Sequence, residues 1–228
     1  MQALLVVKLT HKLQSWRTLD PVHPSLETTS MNAEEDPAAP EFWNRRFRDQ
    51  RIPWDAGAAP LELQNYLTKR RAGERVLIPG CGSAYEVRTF SQHGDDVVAI
   101  DFSAAAIEKA RVELHELGGA VLLGDFFLHG FGQASFDIIY ERAFLASLPR
   151  KLWTSYAARV AQLLRPGGHL IGFFVYGDRE GGPPFCLRAD ELARLLGDAF
   201  HNVEDAVVTA SVPVFQGKER WQVWKRTG

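Results

Sequence analysis

Val76-Leu77-Ile78-Pro79-Gly80-Cys81-Gly82 is a short apolar run that stops in a glycine turn. Four residues, 75–78, are too few for a helix and rich in side chains that favour a buried strand, and Pro79-Gly80 ends it. The chain resumes as a helix over 85–92, and a second short strand, 97–100, follows. Ser103 is placed to cap an alanine-rich helix that runs toward Gly118-Gly119. A third strand at 120–123 and a fourth at 136–140 come next, then a helix over 150–164 closed by Pro166-Gly167-Gly168, and a fifth strand at 169–175. A helix at 189–196 stops at Gly197, and two strands near 203–209 and 221–225 end the chain. Upstream, residues 41–48 read as a short helix carrying Phe42, Trp43 and Phe47. Residues 53–57 read as a loop and 61–69 as a helix. Apolar strands alternating with helices imply βαβ units and a parallel sheet covered on both faces. The last two strands have no long helix between them, so they should pair as an antiparallel hairpin at one edge. The expected fold is α/β: a doubly wound, seven-stranded, mainly parallel sheet ending in that hairpin.

The remaining composition narrows the function classes. The net charge is −2, so there is no basic footprint for nucleic acid or an anionic membrane surface. Cys81 and Cys186 cannot build a disulfide framework, which favours a reduced, cytoplasmic setting. The seven histidines show no ligand spacing, so no metal is expected. The apolar run at 3–7 is too short for a signal peptide or a membrane span. Residues 20–40 carry Pro, Ser, Thr, Glu and Ala without an apolar period. Residues 1–40 are therefore expected to be a disordered extension, or one that begins upstream of a natural start at Met31, followed by one domain over 41–228. A monomer or weak homodimer is expected, with a small molecule as its partner.

In an open α/β sheet, ligands bind where the strand order reverses, at the carboxyl ends of the strands. The Gly80-Cys81-Gly82 turn is the candidate floor, because a side chain there would block a ligand lying on the backbone. Alone it is a weak signal. A dinucleotide fingerprint wants a third glycine where this chain has Tyr85. Asp101 adds more, since it ends the next strand about twenty residues later, where a carboxylate accepts from a ribose diol. Gly124-Asp125-Phe126-Phe127 then sets a carboxylate beside two aromatics at the end of the third strand, which suits an adenine. The plain alternative is that Phe126 and Phe127 are core and Asp125 caps a turn. Cys81 reads as a small apolar filler rather than a nucleophile, and Trp221 and Trp224 as packing.

Across residues 41–226 the chain resembles the thiopurine S-methyltransferase family and its plant relatives, the halide and thiol methyltransferases. The pieces that carry the resemblance are Phe42-Trp43, Ile52-Pro53-Trp54-Asp55-Ala56-Gly57, Val76 to Gly82 and Gly124-Asp125-Phe126-Phe127. Tyr140-Glu141-Arg142-Ala143, Arg165-Pro166-Gly167-Gly168 and Gly181-Gly182-Pro183-Pro184-Phe185 add to them, in the same order. The resemblance implies a methyltransferase variant of the doubly wound fold, with S-adenosylmethionine as cofactor. It implies that Trp43 and Trp54 enclose the cofactor, that Gly80 and Gly82 are its floor and that Asp101 takes its ribose. By the same resemblance Arg142 lies near cofactor and acceptor, while Phe47, Pro184 and Phe185 line the acceptor pocket. Phe47 stands where relatives often carry a second tryptophan. Gly80 and Asp101 are plant-like choices and Arg142 is thiopurine-like, so the acceptor does not transfer from either branch.

Methyl transfer from a sulfonium is an in-line displacement, and the protein mainly aligns the acceptor and excludes water. Trp43, Trp54 and Phe185 are read as a dry box, and Arg142 as the group that stabilises a thiolate. No obligatory general base is required. A simpler role for Arg142 is an ion pair with Glu141 or Asp137. The expected acceptor is a soft nucleophile: a thiol, thiopurine, hydrosulfide, halide, or reduced selenium or tellurium species. Rival readings are an O- or N-methyltransferase on the same fold, a nicotinamide-dependent oxidoreductase and a non-catalytic binding module.

Overall fold

The computed structural model describes residues 33–228. The apolar run at 3–7 and the alternative start at Met31 lie outside the described residues. Of the expected extension, residues 33–40 are described, and they are shaped by local bonds. The Ala38 amide donates to Asp36 Oδ1 at 2.9 Å, the Ala39 amide donates to the Asp36 carbonyl, and Pro40 opens the first helix.

Three helix–strand units follow that helix. Helix α1 is Pro40–Arg48 and α2 is Leu61–Leu67; then come β1 (Arg75–Pro79), α3 (Tyr85–His93), β2 (Asp96–Asp101), α4 (Ala104–Leu114) and β3 (Val121–Leu123). The second half holds β4 (Phe136–Arg142), α5 (Phe144–Ser147), α6 (Trp153–Leu163), β5 (Leu164–Val175), α7 (Glu191–Leu196), β6 (Phe200–Val207) and β7 (Glu219–Arg226). The seven strands form one sheet in the order β3-β2-β1-β4-β5-β7-β6. Strands β1 to β5 are mutually parallel, and β7 runs antiparallel to both β5 and β6. The expected sheet and terminal hairpin are therefore present, with β7 inserted between β5 and the edge strand β6.

Alternation along the strands sorts side chains to the two faces. Val76 and Ile78 join Phe90, Ile107 and Trp221 on the face covered by α2, α3 and α4. Leu77 and Ile139 join Tyr156, Val160 and Trp224 on the face covered by α6 and α7. Trp221 and Trp224 are packing residues, as expected; Trp221 meets Tyr66 and Phe173 edge-on at 5.7 and 5.2 Å. Ser103 caps α4 through an amide bond from Ala106 of 3.2 Å. Most boundaries shift by three residues or fewer, and two shift further. Strand β5 begins at Leu164 rather than 169, because Leu164 pairs with Phe136 across an irregularity that absorbs Pro166-Gly167-Gly168. Helix α4 ends at Leu114, and a 3-10 turn, His115–Ala120, carries the chain to β3. Among the described residues no helix is long and apolar enough to cross a membrane.

Candidate active site

The strand order reverses between β1 and β4, and a cavity of about 700 Å³ opens at their carboxyl ends. That volume is within the range that encloses small ligands. The glycine turn is its floor. Gly80 and Gly82 have φ of +57° and +52°, which other residues adopt only under strain. A Cβ on Gly80 would stand 2.2 Å from Phe144 Cδ2, so this glycine is required by the protein's own packing. A Cβ on Gly82 would meet only Phe47 Cζ, at 3.5 Å across the cavity. Gly82 is thus the glycine that leaves room for a ligand.

Asp101, at the end of β2, is bound to this turn. Its Oδ2 accepts from the Gly82 amide at 3.0 Å and its Oδ1 from the Ser103 amide at 2.9 Å. Burial pushes its pKa up, and the amides of Ser103, Gly82 and Phe102 pull against that. The carboxylate still lines the cavity. Cys81, between the two glycines, is core, with its thiol pushed well up by burial, then by Asp101 and Glu86, so it is no nucleophile.

Asp125 and Phe126 stand in the wall beyond Asp101. The plain reading of this pair is the one seen, in residues that also border the cavity. Asp125 Oδ1 accepts from the Phe127 amide at 2.6 Å, which caps a turn, and Phe126 is 4% exposed, packed on Phe127 and Phe144. The wall is built from the core.

The opposite side is aromatic. Trp43 and Trp54 meet edge-on at 5.6 Å, and Phe47 meets Trp54 at 6.3 Å. Trp43 Nε1 donates to the Pro37 carbonyl at 2.9 Å, so a described residue of the expected extension orients this indole. Asp55 fastens the loop that carries Trp54: it accepts from Ser83 Oγ at 2.6 Å and the Gly57 amide at 2.9 Å, and faces Lys109 Nζ at 3.6 Å. Burial alone would raise its pKa, but the bonds from Ser83 and Gly57 and the charge of Lys109 hold it below the usual carboxylate value. Helix α1 is tied to α4 through Asn44, whose Oδ1 accepts from Ser103 Oγ and the Ala105 amide.

Arg142, the last residue of β4, reaches the cavity wall. It does form an ion pair, but with Glu86 of α3, at 3.2 Å, rather than with Glu141 or Asp137. Asp137 is taken by Arg165 and the Arg75 amide. Glu141 points to the other face of the sheet. Burial disfavours the Arg142 charge, yet Tyr140 and Glu86 outweigh it and raise the pKa, so the guanidinium stays charged.

Pro183 and Pro184 line the cavity, but Phe185 does not. Its amide donates to the Ala146 carbonyl at 2.7 Å and its ring packs on the core beneath α6 and α7. The expectation that Phe185 faces the acceptor is therefore corrected: the Pro-Pro lip faces the cavity and the ring behind it anchors the lip. The wall and its supports also include residues that had no expected role, among them Glu86, Phe144, Val214 and Phe215. The last two come from the β6–β7 connection and join the apolar cluster against which Trp54 packs.

Residues 38–227 match the family described as thiopurine S-methyltransferase. A probable thiol methyltransferase 2 of Arabidopsis thaliana is 28% identical, over 81% of this chain and 84% of that protein. A thiopurine S-methyltransferase of Vibrio campbellii is 30% identical, over 68% and 80%. Among solved structures, the 1,6-didemethyltoxoflavin-N1-methyltransferase of Burkholderia thailandensis, bound to 1,6-didemethyltoxoflavin and S-adenosylhomocysteine, superposes with a TM-score of 0.67. It is 21% identical and the match covers 83% of this chain and 87% of that one, a likeness of fold.

Proposed function

The chain belongs to the thiopurine S-methyltransferase family, and from that premise we propose that it methylates a soft nucleophile by in-line displacement within the cavity between Trp43, Trp54 and Arg142. It is an S-adenosylmethionine-dependent methyltransferase. That cofactor, when bound, supplies a methyl group already activated by a sulfonium. The residues present fit it. Gly82 leaves backbone uncovered where a side chain would project, and the buried Asp101 carboxylate borders the same space.

In this reading Asp101 takes the ribose hydroxyls, held in place by the two amides that prevent it from turning away. Asp125 and Phe126 take the adenine. Trp43, Trp54 and Phe47 exclude water from the reacting end, and an indole face attracts a sulfonium by cation–π attraction. The observation that carries the acceptor class is Arg142: a charged guanidinium, fixed by Glu86, in the wall of a cavity otherwise rich in aromatic rings. Its charge favours the thiolate over the thiol, whose unperturbed pKa is about 8.5. The acceptor range proposed is thiol, thiopurine, hydrosulfide, halide and reduced selenium or tellurium species. Within the same proposal the setting is cytoplasmic, the partner is a small molecule rather than nucleic acid or membrane, and the chain acts as a monomer or weak homodimer.

A panel of sulfur, halide, oxygen and nitrogen acceptors with a methyl-labelled donor tests this. Label on sulfur or halide acceptors is the expected result. Label confined to oxygen or nitrogen acceptors would replace the acceptor class and leave the donor site standing.

A further inference from the structure

Glu141 has no part in the chemistry above, yet it is the most completely buried acid of the described residues, with 0% exposure. It sits one residue before Arg142 on β4, with its side chain on the opposite face of the sheet. There it lies directly beneath the turn that builds one side of the cavity. That turn begins at Arg142, passes through Ala143 in the left-handed region at φ +57° and continues as α5. Arg142, Ala143, Phe144, Ala146, Ser147 and Leu148 all line the cavity. One carboxyl oxygen of Glu141 accepts from the Leu145 amide, and the Phe144 amide also points to the group. These are the first amides of α5, which no helical carbonyl can satisfy.

The other oxygen, Oε2, is buried and makes no hydrogen bond among the described residues. The gap beside it is lined by Leu145, Ala146, Phe173 and Phe185 and leaves no room for a water. An ionised carboxylate would be costly there. The charge of Glu219 on β7 opposes ionisation, the amides of Leu145 and Phe144 favour it, and Tyr156 on α6 is a neutral phenol whose hydroxyl is likewise without a bond. On β5, its register partner Gly172 and the neighbours Phe173 and Phe174 carry no charge. On its own strand, Tyr140 and Arg142 point to the other face. Burial first of all, then Glu219, pushes the Glu141 pKa up to about 8. Phe144 is the consequence at the site, because its ring occupies the space above Gly80.

We infer that Glu141 is a positioning residue for methyl transfer, which pins the turn from Arg142 to Leu148 from beneath and so sets where Arg142 and Phe144 stand in the cavity wall. The inference rests on the reading of this cavity as the methyl-transfer site. In the neutral form the acid satisfies the turn's amides at no charge cost; in the ionised form those two bonds strengthen, but burial and the charge of Glu219 penalise the carboxylate, which favours opening of the turn to solvent.

The test compares Glu141→Gln, which keeps the shape and the accepting oxygen, with Glu141→Leu, which removes both. At about pH 7, Glu141→Gln should keep S-adenosylhomocysteine affinity and kcat within about threefold of wild type. Glu141→Leu should lose at least about tenfold in kcat and about fivefold in affinity while keeping its circular dichroism spectrum. A folded Glu141→Leu with wild-type kcat and affinity would overturn the inference. Should Glu141→Leu not fold, the ratio of Glu141→Gln to wild-type kcat decides, since any titration of the acceptor cancels in it. The ratio should rise at least about threefold between about pH 7 and pH 9.5, and a constant ratio would overturn the inference. Absence of turnover by wild type on every sulfur or halide acceptor is a failure of the functional reading instead. The same pH series is then read as the ratio of S-adenosylhomocysteine dissociation constants, with the same two outcomes.

Discussion

Gly80 and Gly82 sit two residues apart with nearly the same φ, so alanine at each position separates a packing role from a ligand role. Both substitutions force a left-handed alanine, which costs roughly 1–2 kcal/mol. At Gly80 the new methyl also lies 2.2 Å from Phe144 Cδ2, inside any real contact distance. Phe144 is itself boxed in by Phe126 at 5.5 Å and Tyr156 at 6.1 Å, so it has little room to withdraw. Overpacking of this kind adds roughly 1–3 kcal/mol. Gly80→Ala should therefore destabilise by about 2–5 kcal/mol, a large share of a typical domain's stability. Gly82→Ala has only Phe47 Cζ to meet, at 3.5 Å, and should cost about 1–2 kcal/mol. Its methyl projects into the cavity, however, so S-adenosylhomocysteine affinity should fall at least about tenfold, or about 1.4 kcal/mol. Urea unfolding followed by tryptophan fluorescence measures the first quantity, and titration calorimetry the second. A Gly80→Ala protein as stable as Gly82→Ala, or a Gly82→Ala protein with wild-type affinity, would refute this division of roles.

Asp101→Ala should weaken S-adenosylhomocysteine by about 1–3 kcal/mol, the scale for losing charged hydrogen bonds; unchanged calorimetric affinity would remove Asp101 from the site. Arg142→Ala should lower kcat with a sulfur acceptor by tenfold or more while changing cofactor affinity by less than about threefold. Equal losses in both would make Arg142 a cofactor ligand only. Stability should also carry the mark of Glu141, whose pKa is about 8 in the folded chain against an ordinary 4.5. Between those values the folded protein holds a proton that the unfolded chain has released, so this group's contribution falls as pH rises through the window. At about 1.4 kcal/mol per unit the loss amounts to several kcal/mol by pH 8. Glu141→Gln should flatten that slope in unfolding measurements at about pH 5 and pH 8, and parallel slopes would show the carboxyl to be ordinary.

The fold was legible because the strands are short apolar runs punctuated by glycine and proline, and because the final pair lacks an intervening helix. The start of β5 was not, because Leu164 pairs with Phe136 through an irregular register that no periodicity announces. The place of Asp101, Asp125 and the glycine turn at the cavity was legible, since each lies at or just beyond the carboxyl end of a parallel strand. Glu86 was missed because an acid in the first turn of a helix reads as a favourable charge at its N-terminus; only the sheet brings it to Arg142. Phe144 was missed because its requirement lies in a missing Cβ far away in the chain, at Gly80. Phe185 was misplaced because the motif fixes the bend of Pro183-Pro184 but not which side the next ring takes, and the Ala146 carbonyl draws its backbone inward. Val214 and Phe215 come from a connection with no motif of its own.

The central claim is that this cavity holds the methyl donor with its reactive end between Trp43, Trp54 and Arg142. A crystal structure of the S-adenosylhomocysteine complex tests it most directly. The ribose hydroxyls should lie within hydrogen-bonding distance of Asp101, the adenine beside Asp125 and Phe126, and the thioether sulfur against the tryptophan pair, facing Arg142. Ligand density that leaves Asp101 without a ribose contact, or turns the sulfur away from Trp43 and Trp54, would contradict the account.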